Sequence, residues 1–108
     1  MNKGENPIML SQILSAVRKW LSRTDLPAEV LADREDSLRV IFETENALAE
    51  LIVSDPDLAP YRYVSFRVMD VRRELEDGPV FCFYDDETST IDDILRELDR
   101  GAALIRTT

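Results

Sequence analysis

The chain has 108 residues, 44% of them apolar and 32% charged, a composition that fits one globular domain and excludes a disordered, collagenous or disulfide-stapled chain. Its net charge of −9 is uneven: residues 1–24 set Lys3, Arg18, Lys19 and Arg23 against Glu5, whereas residues 25–108 hold nine cationic and 21 acidic side chains, a balance of −12. Such a body repels phosphate backbones, which argues against nucleic acid as a partner and favours a basic protein.

The longest apolar runs, Leu51-Ile52-Val53 and Val80 to Tyr84, fall far short of the roughly 18 residues that a membrane helix needs. Residues 1–9 have no apolar stretch of the secretory kind, so a cytoplasmic address is the expectation. The single cysteine, Cys82, lies inside an apolar run and is expected to be a buried small hydrophobe.

In chain order, Leu10, Ile13, Leu14, Val17 and Leu21 recur at helical spacing and predict an amphipathic helix over 8–23. Asn6-Pro7 offers its start, with Ser11 as a rival cap one turn later. Leu26-Pro27 ends it. Residues 28–36 are ambiguous: Val30 and Leu31 are able to begin a strand, but Asp33-Arg34-Glu35-Asp36 reads as a charged loop. Leu38, Val40 and Phe42 then alternate with Arg39 and Glu43, a half-buried strand over 37–44 in which Ile41 is an apolar exception. Residues 47–54 mix helix and strand formers; they are read as a strand, with Glu45-Asn46 as the hairpin turn and Asn46 in the left-handed region.

Ser54 to Pro60 reads as a loop. From Tyr61 to Val71, Val64, Phe66 and Val68 point one way while Tyr63, Ser65, Arg67 and Met69 point the other. Asp77-Gly78 predicts a tight hairpin into a strand over 80–84. A last helix starts at a capping box, Thr90 with Asp93 or Ser89 with Asp92, carries Ile91, Ile94, Leu95 and Leu98, and closes at Gly101. The apolar tail 102–105 is then expected to fold back or meet a partner. The predicted architecture is α+β: an N-terminal helix, an antiparallel four-stranded meander and a C-terminal helix, with both helices on one face of the sheet. The whole chain is read as a single domain with flexible ends at 1–7 and 106–108.

Little in the sequence speaks for catalysis. Histidine is absent, which removes the commonest general base and transition-metal ligand. One cysteine cannot build a Cys/His zinc site or a Cys–His pair. Gly4, Gly78 and Gly101 stand alone, so no phosphate loop can be written. The acidic run Asp85-Asp86-Glu87, followed by Asp92-Asp93, fails the calcium-loop pattern: a loop opening at Asp85 puts Thr90 at the glycine position, and one opening at Asp86 puts Ile91 there. Carboxylates before and within a first helical turn are explained by the helix dipole. No catalytic residue, metal or cofactor is therefore expected.

Tyrosine and arginine are enriched at binding hot spots, and Tyr61, Arg62, Tyr63, Arg67, Arg72 and Arg73 crowd one stretch. The expected partner-binding residues are Tyr63, Arg67 and Met69 on the open sheet face, beside Ile41, together with Asp85, Asp86 and Glu87. No family motif is present. In composition and element order the chain resembles secretion chaperones, immunity proteins and other bacterial inhibitors, a likeness of architecture alone; the acidic surface and exposed sheet face point to a non-enzymatic module that binds a protein partner. A homodimer closing its own open face is the alternative, and a carboxylate- or metal-dependent enzyme using the Asp85 to Asp93 cluster the third.

Overall fold

The computed structural model describes residues 9–56 and 59–108. Helix α1, Leu10–Arg23, buries Ile13, Leu14, Val17 and Trp20, the stripe that the apolar spacing defines. It begins two residues later than expected, because the Met9 N–H donates to Gln12 Oε1 at 2.8 Å and so closes the first turn. Ser11 lies inside that turn, and the Asn6-Pro7 start falls outside the described residues. Thr24 has extended backbone and the chain leaves the helix toward Leu26-Pro27.

Among the described residues the sheet has five strands rather than four: β1 Ala28–Arg34, β2 Ser37–Glu43, β3 Ala47–Val53, β4 Val64–Asp70 and β5 Phe81–Tyr84. They form one antiparallel meander in sequence order. The added strand is β1, which pairs with β2 across the Glu35-Asp36 turn. Its sequence hid it for a physical reason. Six of its seven residues are exposed, so no covered face imposes the alternation by which half-buried strands are recognised.

One face of the sheet is dry. Leu38, Val40 and Phe42 of β2, Ala47, Ala49, Leu51 and Val53 of β3, and Val64, Phe66 and Val68 of β4 are all buried in one cluster with both helices. Trp20 meets Phe42 edge-on with ring centroids 6.2 Å apart, and its indole N–H donates to Asp99 Oδ1 at 2.8 Å, which ties the two helices together.

Two connections differ from expectation. The β2–β3 turn needs no left-handed asparagine: the Thr44 N–H donates to the Ala47 carbonyl at 3.0 Å and the Ala47 N–H returns to the Thr44 hydroxyl. Among the described residues only Gly78 has a positive φ, 74°. The β4–β5 link is longer than a tight hairpin and contains a 3₁₀ turn at Leu75–Asp77, because β4 stops at Asp70 and β5 starts at Phe81.

Helix α2, Ile91–Thr107, starts at the Thr90–Asp93 capping box, each side chain bonding the other's backbone N–H at 3.0 Å. It does not end at Gly101. The helix runs on, burying Ala102 and Ile105, so the apolar tail belongs to the core, and Arg106 and Thr107 are helical where a flexible end was expected. Glycine at 101 is a matter of space: a Cβ there would run into the Phe66 ring, so the residue lets α2 lie directly on β4. No helix among the described residues is long and apolar enough to cross a membrane.

Gly101→Ala should therefore destabilise the fold. Helix propensity favours alanine by about 1 kcal/mol, but overpacking a closed core costs about 1–3 kcal/mol. Urea denaturation is expected to show a net loss of up to about 2 kcal/mol, recovered in part by Phe66→Leu; a gain in stability would refute the packing argument.

Candidate functional site

Among the described residues no helix lies over the second face of the sheet, and its side chains fall into cross-strand rows. Glu43, Leu48 and Met69 form one row, Ile41, Glu50, Arg67 and Cys82 the next, and Arg39, Ile52, Ser65 and Tyr84 the third. Glu50 sits at the centre. Its Oε2 accepts from Arg39 Nε at 2.8 Å and its Oε1 from Arg67 Nη2 at 3.2 Å, so each carboxylate oxygen is occupied. Around this ladder Ile41, Leu48 and Met69 stand out as apolar, and with Glu50 and Arg67 they line a shallow groove of about 380 Å³. Leu48 is 40% exposed.

Of the residues expected on this face, Ile41, Arg67 and Met69 come together here. Tyr63 does not join them: it lies ahead of β4, half-buried against the core cluster, with the Arg62 guanidinium carbon 4.5 Å over its ring. Tyr61 leans instead on Tyr84, ring centroids 5.8 Å apart, beyond the end of the third row. Arg72 is folded onto Asp70 through three hydrogen bonds of 2.8–3.0 Å. Sequence reasoning missed Leu48, Glu50 and Arg39. Small alanines at 47 and 49 flanking Leu48 were the available signal, since Ala47 and Ala49 take the crowded face and leave Leu48 outward.

Cys82 corrects an expectation. It is exposed, because β5 turns Phe81 and Phe83 toward the core cluster and therefore presents Cys82 and Tyr84 on the other side. A hydrogen bond with Cys82 is the main cause that raises the Tyr84 hydroxyl above its ordinary pKa, with desolvation second.

The acidic run divides by position. Asp85 is only 2% exposed: its Oδ1 accepts from the backbone N–H groups of Tyr63 and Val64 at 2.8 and 2.7 Å, and its backbone bonds Arg62 and Val64. This carboxylate anchors the entry to β4. Asp86 accepts from the Thr88 N–H and hydroxyl at 2.8 and 2.6 Å, and these bonds, the hydroxyl's first, lower its pKa. Asp93 is lowered chiefly by the Thr90 N–H of the capping box. Glu87 faces solvent. Among the described residues no three His, Cys, Asp or Glu side chains converge as metal ligands would.

Comparison with protein-family models, with curated proteins and with solved structures gave no match for this chain.

Two outcomes follow from these contacts. Asp85→Ala strips two backbone N–H groups of their acceptor at about 1–3 kcal/mol each, so denaturation should show a loss of roughly 2–6 kcal/mol, against less than about 1 kcal/mol for Glu87→Ala at the surface. Equal effects would remove Asp85 from its anchoring role. The Arg72 side chain, first among the causes, lowers Asp70 from 3.8 to about 2. A depressed carboxyl pKa contributes stability above its unfolded value and loses it as pH falls toward the folded one. NMR titration of the Asp70 carboxyl should thus give a midpoint near 2, moving back toward 3.8 in Arg72→Ala; an unmoved midpoint would contradict the ion pair.

Proposed function

We propose that this chain is a non-catalytic binding module that holds a basic protein partner on its open sheet face, in the manner of a chaperone, inhibitor or immunity protein. The observation that carries the reading is the uncovered apolar strip Ile41, Leu48 and Met69 around a carboxylate already held by two arginines. A protein interface concentrates apolar side chains at its centre and polar ones at its rim, and arginine and methionine are enriched there. The acid balance of −12 over residues 25–108 supplies long-range attraction for a cationic partner.

The same face also supports a second reading, a homodimer. Its central charges, Arg39 and Arg67 against Glu50 and, in the next row, Glu43, balance to zero, whereas most other surfaces of two such acidic bodies would repel.

Capture of the partner from the native organism, followed by binding kinetics at several salt concentrations, tests the proposal. Association should slow steeply above ~0.15 M salt, where the screening length is about 8 Å. Leu48→Ala and Met69→Ala should mainly speed dissociation, by roughly 30-fold for a hot spot of about 2 kcal/mol. Self-association alone, broken by Leu48→Ala and indifferent to salt, would put the homodimer in its place.

A further inference from the structure

Strand β1 is the most exposed element of the sheet, and it is an edge. Among the described residues it pairs with β2 alone, and Val30 and Leu31 are 48% and 47% exposed. An edge strand presents backbone N–H and C=O groups that another strand can pair. We propose that the outer edge of β1 takes an extended, basic segment of the protein partner as a sixth strand, an inference that rests on the protein-binding reading above.

The two halves of β1 differ. A bulge lies between Val30 and Ala32. Beyond it the strand is clasped to α1, where Arg18 binds Asp33 at 2.9 Å and also bonds the Arg34 carbonyl. Before it, Ala28 to Leu31 have no such clasp and are exposed throughout. The free edge is therefore the stretch that carries Val30 and Leu31, the side chains that an added strand would cover.

Charge selects the occupant. Residues 28–36 hold Glu29, Asp33, Glu35 and Asp36 against Arg34, a balance of −3. Glu43 adds to this at the foot of the strand, where it lines a shallow groove of about 240 Å³ with Glu29 and Ile41. Pairing β1 with the β1 of a second copy would set two such strands side by side, and like charges across a strand pair are destabilising. Lysines or arginines on the incoming strand would meet Glu29 and Glu43 beside the free stretch and approach Glu35 and Asp36 of the turn, while their neighbours cover Val30 and Leu31. At the far edge β5 has only four residues, which gives a shorter ladder. The groove at Ile41 joins the β1 edge to the open face, so one partner can occupy both.

The test uses the intact chain and a ten-residue peptide of alternating lysine and valine. Its binding should slow amide hydrogen exchange in residues 28–31. N-methylating alternate peptide bonds keeps the charge but removes backbone donors, and should weaken binding at least tenfold. The triple reversal Glu29→Lys, Glu35→Lys and Asp36→Lys, at exposed turn and edge positions, should weaken it by a similar factor. Equal binding of the N-methylated peptide, or protection at Leu48 and Met69 without protection of β1, would overturn strand addition and leave the open-face reading standing. A captured native partner whose affinity is unchanged by Leu48→Ala and by the triple reversal alike would overturn both.

Discussion

Everything in this fold is arranged around the Phe66 ring. It is fully buried on the central part of β4, with Phe42 of β2 at 6.0 Å and Phe81 of β5 at 5.9 Å between ring centroids, and α2 crosses it at Gly101 with no room for a side chain. Aromatic rings at these separations attract through their quadrupoles as well as through buried area. Because the helix backbone seats itself on that ring, α2 can lie low over β3, β4 and β5, and α1 reaches its place through the Trp20 bonds to Phe42 and Asp99. Both helices are thereby spent on one face. The other face is left to whatever side chains alternation puts there.

That dependence explains what could be read from the sequence. Elements with one covered face announce themselves: the stripe of α1, the alternation of Leu38, Val40 and Phe42, and that of Val64, Phe66 and Val68 each map onto the core. Elements whose environment is set by something distant do not. Strand β1 is exposed almost throughout, so no period marks it. Gly101 reads as a helix end because glycine usually serves there, yet its role is to admit a ring that is 35 residues away in sequence. Cys82 reads as buried because its neighbours are apolar, but on an edge strand only every second residue meets the core.

The acidic residues show the same split between composition and place. Asp85, Asp86 and Asp93 stand close together in sequence and share a charge, yet one carboxylate anchors β4, one closes a turn and one caps a helix. Each does so by accepting backbone N–H groups, which is stronger for a charged acceptor than a neutral one. The open face was legible in part for a related reason. Arg67 and Met69 follow from the alternation of β4, whereas Glu50 and Leu48 depend on the register of β3, and Tyr63 leaves the face because the β4 ladder starts one residue later, where Asp85 catches its N–H.

Charge taken away from structural work leaves a more informative surface than the net total. On the open face Arg39 and Arg67 are balanced by Glu50 and by Glu43 in the next row, so the residence of a contact there, unlike the rate of its association, would be set by covering Leu48, Ile41 and Met69. Along β1 and the turn that follows it, residues 28–36, the balance is −3, and Glu29 and Glu43 share the groove that Ile41 lines, so a contact there is gated by the sign of the incoming strand. The two surfaces meet at Ile41. A partner that spans them would be selected by charge at the edge and held by apolar burial on the face, which separates the step that decides association from the step that decides residence.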